Sequence, residues 1–216
     1  MRIPSDMTLP FICYVSVINH SYNCLNQKQR NDISESESSV MQKILNKYTL
    51  TGIIISAVVG TLLHFVYAWS GRFSLVGAFS AVNESTWEHL KLLFFPCFIL
   101  FWIEYRLNHQ DFPGLFVRRI QGLFLGLAFI PVAFYTYVGI IGHSYMAIDI
   151  SLFFIGVLIT WIISSRRYQA CSEVRSSASA FWIIALFVML GLFILFTYCT
   201  PHIGLFMDPT DCSFGI

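Results

Sequence analysis

Apolar blocks about twenty residues long, separated by short polar stretches, set the pattern of this chain from Met41 onward. An α-helix rising 1.5 Å per residue needs about that length to cross a hydrocarbon core roughly 30 Å thick. Five blocks predict five spans, at about residues 48–69, 85–105, 119–141, 145–165 and 177–200. The expected fold class is all-α: a polytopic transmembrane helix bundle over residues 41–200, followed by an extracytoplasmic C-terminal tail, 201–216. Pro131 should kink the third span, because its ring removes a backbone donor and clashes with the preceding turn. Gly122 and Gly126, four apart on the same span, allow a neighbouring helix to approach closely.

The first forty residues break this pattern. The apolar stretch MTLPFICYVSVI is too short to span, and NQKQRNDISESESS is a polar run that cannot bury enough surface to order itself. No small-residue cleavage site follows the apolar stretch, which argues against a signal peptide. Residues 1–40 therefore read as a flexible N-terminal tail, or as an over-called start upstream of Met41. A full-length intact mass from the native gene would eliminate the second version.

Composition narrows the class further. Charged residues are 12% of the chain, about half the roughly 25% typical of soluble domains, while 56% is hydrophobic. The expected partner is thus the lipid bilayer. A net charge of +1 supplies no field for nucleic acid. The six cysteines lack C-x-x-C pairing, so neither a disulfide framework nor a cysteine metal site is expected. With alternating spans, Lys43, Lys47, Arg106, Arg118, Arg119, Arg166, Arg167 and Arg175 fall on one side, against Arg72 and Lys91 on the other. This bias predicts a cytoplasmic N-terminus and an outer C-terminus in the cell membrane.

That topology collects chemistry on the outer side. The first span ends with His64 and Tyr67, and the second opens with Glu84, Ser85, Trp87, Glu88, His89 and Lys91. The third turn adds His143 and Asp149, and the tail adds His202, Asp208 and Asp211. Twelve residues, about 18 Å of helix, separate Lys91 from Glu104, less than a bilayer core requires. Glu88, His89 and Lys91 should therefore enter the membrane region and face other helices, as intramembrane charges usually do.

A plain structural account covers part of this set. Ser85 to Glu88 fits a capping box, with the serine accepting from the Glu88 amide and Glu88 reaching back. Glu84 and Glu88 suit the positive end of the helix, and Glu88 and Lys91 are spaced for an ion pair. Trp69, Trp87 and Tyr145 suit an interfacial belt, and His109 reads as a solvated loop residue. His89 is not explained by capping.

Three chemistries fit the cluster. His64, His89 and His202, with Asp208 or Asp149 as auxiliary, could ligate zinc and leave a position open for water. Glu88 would then be the general acid/base, with Glu84 and Ser85 as further catalytic candidates; no H-E-x-x-H spacing supports the metal. His and carboxylate chains also relay protons, although no inverted repeat is evident, and a homo-oligomer would have to supply one. Finally, the free amides opening the second helix could hold a lipid phosphate near Lys91 and Arg72.

The elements HFVYAWSG at 64–71, NESTWEHLK at 83–91 and PHIGLFMDP at 201–209 add a resemblance. From about residue 41 onward the chain resembles a family of small bacterial multi-pass membrane proteins classed as a domain of unknown function. The resemblance implies a bacterial membrane location and no activity. It marks His64, Tyr67, Glu84, Trp87, Glu88, His89, His202 and Asp208 as positions to test. Ser85-x-x-x-His89 is also similar to an element of the membrane hydrolases that include alkaline ceramidases. Those have seven spans and a paired H-x-x-x-H, so the similarity is one of chemistry rather than descent. The expected function is a metal-dependent membrane hydrolase or transferase acting on lipid or envelope substrates. The alternatives are a small proton-coupled transporter and a non-catalytic accessory or scaffold protein.

Overall fold

A computed structural model describes the backbone of residues 9–170 and 176–216, and side chains over 39–169 and 178–216. The expected tail, 1–40, lies almost wholly outside the described side chains. The chain divides into two units, Met1–Leu45 and Asn46–Ile216, and the second contains the bundle. Its helices are the end of α1 (Leu9–Trp69), α2 (Ser74–Gly77), α3 (Thr86–Asn108), α4 (Leu115–Ile141), α5 (Met146–Leu158), α6 (Ser164–Ala170) and α7 (Ser176–Tyr198). A π-helical turn, Ile159–Ile163, joins α5 to α6. No strand occurs among the described residues, only one isolated bridge between Met207 and Phe214 in the tail.

The all-α expectation holds. Four described helical stretches are long and apolar enough to cross a membrane: Ser39–Trp69, Leu115–Ile141, Met146–Gln169 and Ala178–Tyr198. They match four of the five predicted spans, and their outward apolar surface suits lipid. The remaining one, α3, has the length of a span at 23 residues but carries Glu88, Lys91, Glu104 and Arg106. More than half of it is buried: Glu88 and Lys91 pair with each other inside the bundle and Glu104 pairs with Arg119 of α4, while Arg106 stays exposed. It forms the inside of the bundle. Trp87, Leu93, Phe94, Cys97 and Phe101 lie in the common core with Ile120 and Leu123 of α4, Trp161 of the π turn and Phe193 of α7.

Helix α4 packs against α3, α5, α7 and the π turn with α6, and it continues unbroken through Pro131. The close approach expected at Gly122 and Gly126 is present. A Cβ on Gly122 would lie 2.3 Å from the Thr160 carbonyl oxygen, and one on Gly126 would lie 2.3 Å from the Thr160 hydroxyl. Only a hydrogen fits at either position.

The π turn has an electrostatic counterpart. Arg119, counted above among the basic residues of the cytoplasmic side, is fully buried. Its guanidinium grips Glu104 through two parallel bonds of 2.8 and 2.9 Å. It also donates to the Ser164 and Ser165 hydroxyls, to Thr49 and to the Trp161 carbonyl, and lies 4.5 Å from the Trp161 ring centroid. That carbonyl also accepts the Ser164 amide and the Ser164 and Ser165 hydroxyls. One planar cation thus ties α1, α3, α4 and α6 together, with every donor edge satisfied.

Candidate functional site: a His–Glu–His cluster on a polar cavity

The site starts where α1 stops. Gly71, at φ 72°, ends the helix in the left-handed region, its amide bonding to Ala68 O while that of Arg72 reaches back to Tyr67 O. This is a Schellman termination, and glycine is the residue that adopts it without strain. The Ser70 hydroxyl donates to Tyr67 O and accepts from the Phe73 amide. His64 thereby sits two turns before a rigid corner, and Arg72 just beyond it.

The chain then returns through α2 to the start of α3. Ser85 caps α3, its hydroxyl accepting from the Glu88 amide at 3.4 Å. The other half of the expected capping box is not made. Glu88 instead accepts from the Val82 amide and, at 2.6 Å, from Lys91. Both side chains are buried, and the Lys91 ammonium also donates to Gly77 O and the Thr197 hydroxyl. As expected, these charges face the bundle rather than lipid. Three acceptors around a desolvated ammonium make a structural lock between α3, α7 and the loop.

Just outside this lock, three side chains converge. Glu84 Oε1 lies 3.6 Å from His64 Nε2, and Glu84 Oε2 lies 3.4 Å from His89 Nε2. The imidazole centroids are 5.3 Å apart, and one ligand atom from each residue falls within 4.8 Å of the others. Two ligands on one zinc at 2.0–2.2 Å with a tetrahedral angle would be roughly 3.3–3.6 Å apart. The 3.4 and 3.6 Å separations fall in that range but run to different Glu84 oxygens, and a set of one atom per residue is looser, within 4.8 Å. All three side chains remain partly open, and His64 and Glu84 line a cavity of about 400 Å³ with Tyr67, Arg72 and Asp208 among its other walls.

Hydrogen bonding fixes the chemistry of His89. Its Nδ1 is 2.9 Å from the Ser85 carbonyl oxygen, which can only accept, so Nδ1 carries a hydrogen. In the neutral ring the Nε2 lone pair then points at a carboxylate oxygen. Lone pair facing oxygen at 3.4 Å is repulsive unless a proton or a metal cation lies between them. His64 differs, since its buried Nδ1 has no hydrogen-bond partner.

The tail holds the third member in place. Asp208 accepts the Glu84 amide at 2.8 Å, and also the Thr210 amide and hydroxyl. Leu205 O accepts the Trp87 amide, and Asn83 donates to Gly215 O. The adjacent His89 ring, with a smaller electrostatic contribution from His64, holds the Glu84 carboxyl below its ordinary range against the opposing effect of burial. Burial acts to raise Asp208, but the bonds from Thr210 and the Glu84 amide outweigh it and hold that carboxyl down.

The sequence candidates therefore separate. His64, Glu84 and His89 meet; Asp208 braces Glu84 from behind; Tyr67 lines the cavity. Glu88 and Lys91 belong to the lock, and Ser85 is a cap. Trp87 is not an interfacial anchor: it is buried against Phe193, Phe196 and Phe206. His202 is exposed and packs on Phe214 at 4.7 Å. His143 stacks near Tyr145, and Asp149 accepts from the Tyr137 hydroxyl at the α4–α5 turn. The helix-start amides expected to hold a lipid phosphate already have acceptors at Trp87, Glu88 and His89, and Lys91 is enclosed, which leaves Arg72 of that expected set. The buried Arg119–Glu104 pair went unnoticed in the sequence. Its available signal was a second arginine standing immediately before an apolar helix, inside rather than beside the span.

Against known proteins, one family model matches residues 38–216; its description is "Family of unknown function (DUF6512)". No curated protein and no solved structure shows a significant match to the chain.

Proposed function

The chain belongs to the DUF6512 family of unknown function, and on that footing we propose, from the site alone, that it is a membrane-embedded, metal-dependent hydrolase or transferase acting on lipid or envelope substrates. The observation that carries this reading is the orientation of His89. Its outward nitrogen is committed to the Ser85 carbonyl, leaving the inward one to face Glu84 beside His64. A ligating histidine is ordinarily fixed in this way, with its far N–H given to a carbonyl. Two imidazoles and a carboxylate form a common catalytic zinc set, which keeps a fourth position for water.

A divalent ion held there would supply a water acidic enough to act as nucleophile near neutral pH. The residues contribute the rest. His64 and His89 bind through Nε2, and Asp208 sets the Glu84 backbone. The Glu84 oxygen not used in binding can hold the proton released by the water. We assign Glu88 to the Lys91 lock rather than to the acid/base role expected of it, since it is buried and accepts from Lys91 and the Val82 amide.

The scaffold reading draws on one observation, the unpartnered His64 Nδ1, which a ligating histidine would normally use. The carrier reading finds less support. Between the two charged ends of the bundle, Ser56 of α1 bonds to Cys97 of α3 and to Trp161 of the π turn, a link made of neutral groups.

Elemental analysis of the detergent-purified full chain decides among these readings. About one zinc or other divalent ion per chain is expected, lost in His64→Ala, Glu84→Gln and His89→Ala while each variant stays folded. A metal-free wild type, after exposure to zinc, would end the hydrolase reading.

A further inference from the structure

Resting on the metal-site reading, we infer that the cavity beside the His64–Glu84–His89 cluster binds the phosphate of a phospholipid headgroup, with Arg72 as the residue that recognises it. Arg72 lines the same cavity as His64 and Glu84. It forms no ion pair among the described residues, whereas Lys91 and Arg119 are paired with carboxylates and enclosed by further acceptors. The carboxylates sharing the cavity have other commitments. Glu84 faces the two imidazoles, Asp208 takes the Glu84 amide and Thr210, and Asp211 accepts the Ser213 amide.

The backbone under Arg72 argues in the same direction. Its φ is 60°, a left-handed conformation that glycine adopts freely and arginine does not. Residues kept in such a conformation gather at ligand sites. A glycine here would end α1 equally well, so the corner does not by itself require a side chain. The guanidinium is a planar, bidentate partner for phosphate oxygens.

The surroundings select a lipid over a soluble phosphate. On either side of Arg72 the chain exposes Trp69, Phe73, Leu75 and Phe79, each at least half open. Large apolar and aromatic side chains next to a polar cavity match the boundary between acyl chains and headgroups. A phosphate held by Arg72 would bring the ester or phosphodiester bonds of the same headgroup toward the cluster.

The test uses the zinc-loaded full chain in maltoside micelles, titrated by calorimetry with dihexanoyl phosphatidylglycerol, dihexanoyl glycerol and inorganic phosphate. Saturable binding of the phospholipid is expected, with Arg72→Ala weakening it by roughly tenfold or more at unchanged zinc content. Arg72→Gly should lose the same affinity while unfolding at an equal or higher temperature, which separates recognition from folding. Undiminished binding by both variants would overturn the inference, as would equally tight binding of the phosphate-free lipid. Equal affinity for inorganic phosphate would overturn the lipid source. Arg72-dependent phospholipid binding by a chain that holds no metal would sustain the headgroup site and sink only the hydrolase reading.

Discussion

At the scale of single residues, Glu84 is where the site is made or lost. Its amide is held by Asp208 and its two oxygens address two imidazoles, so backbone and side chain are set independently. Asp208→Asn is expected to weaken zinc affinity by about 10–100-fold, the usual cost of losing a group that orients a ligand, measured by competition with a chromogenic chelator. His202→Ala should leave affinity unchanged. The acid limb of stability follows from the depressed Asp208 carboxyl. A carboxyl lowered in the folded state stabilises it above the unfolded value, near 3.9, and loses that contribution as pH falls through the folded one. The metal-free protein should therefore lose thermal stability below about pH 4, more steeply than Asp208→Asn does. If both fall in parallel, Asp208 has no such role.

Among elements, the two buried ion pairs set the helix arrangement. Arg119→Met leaves Glu104 buried without a partner and is expected to cost about 3–5 kcal/mol, read from unfolding in mixed detergent. Adding Glu104→Leu should recover most of the loss, since a buried pair is costly mainly when broken. Gly122→Leu should be at least as damaging as a typical overpacked core, about 1–3 kcal/mol, because the Thr160 backbone has no room to retreat. Helix positions and the α4 glycines were legible in the sequence, since apolar length and small-residue spacing are local properties. The inward turn of α3 was legible too, from the short distance between Lys91 and Glu104. The partners were not. Arg119 reads as a topogenic edge charge until its neighbours from four segments are in place. The π turn has no composition of its own, and the fold-back of the tail depends on contacts across more than a hundred residues.

For the whole molecule, four apolar helices around a charged inner helix fit a membrane protein with its candidate site at one end of the bundle. The bias of basic residues predicts that this end, with the tail, faces outward. A variant keeping Cys212, which is exposed, as its sole cysteine should react with a membrane-impermeant maleimide on intact cells. Labelling only after lysis would invert the topology and place the cavity in the cytoplasm. The bracing of Glu84 by Asp208 also bears on the order of events at the ribosome. The two histidines and the glutamate are made well before the carboxylate that fixes Glu84, which follows it by 124 positions. Until Asp208 has been made and has folded back, the nascent chain can present only an imidazole pair and an unfixed glutamate. Any ion that the proposed cluster holds would then meet its fixed form only after the Asp208 segment has folded back onto Glu84.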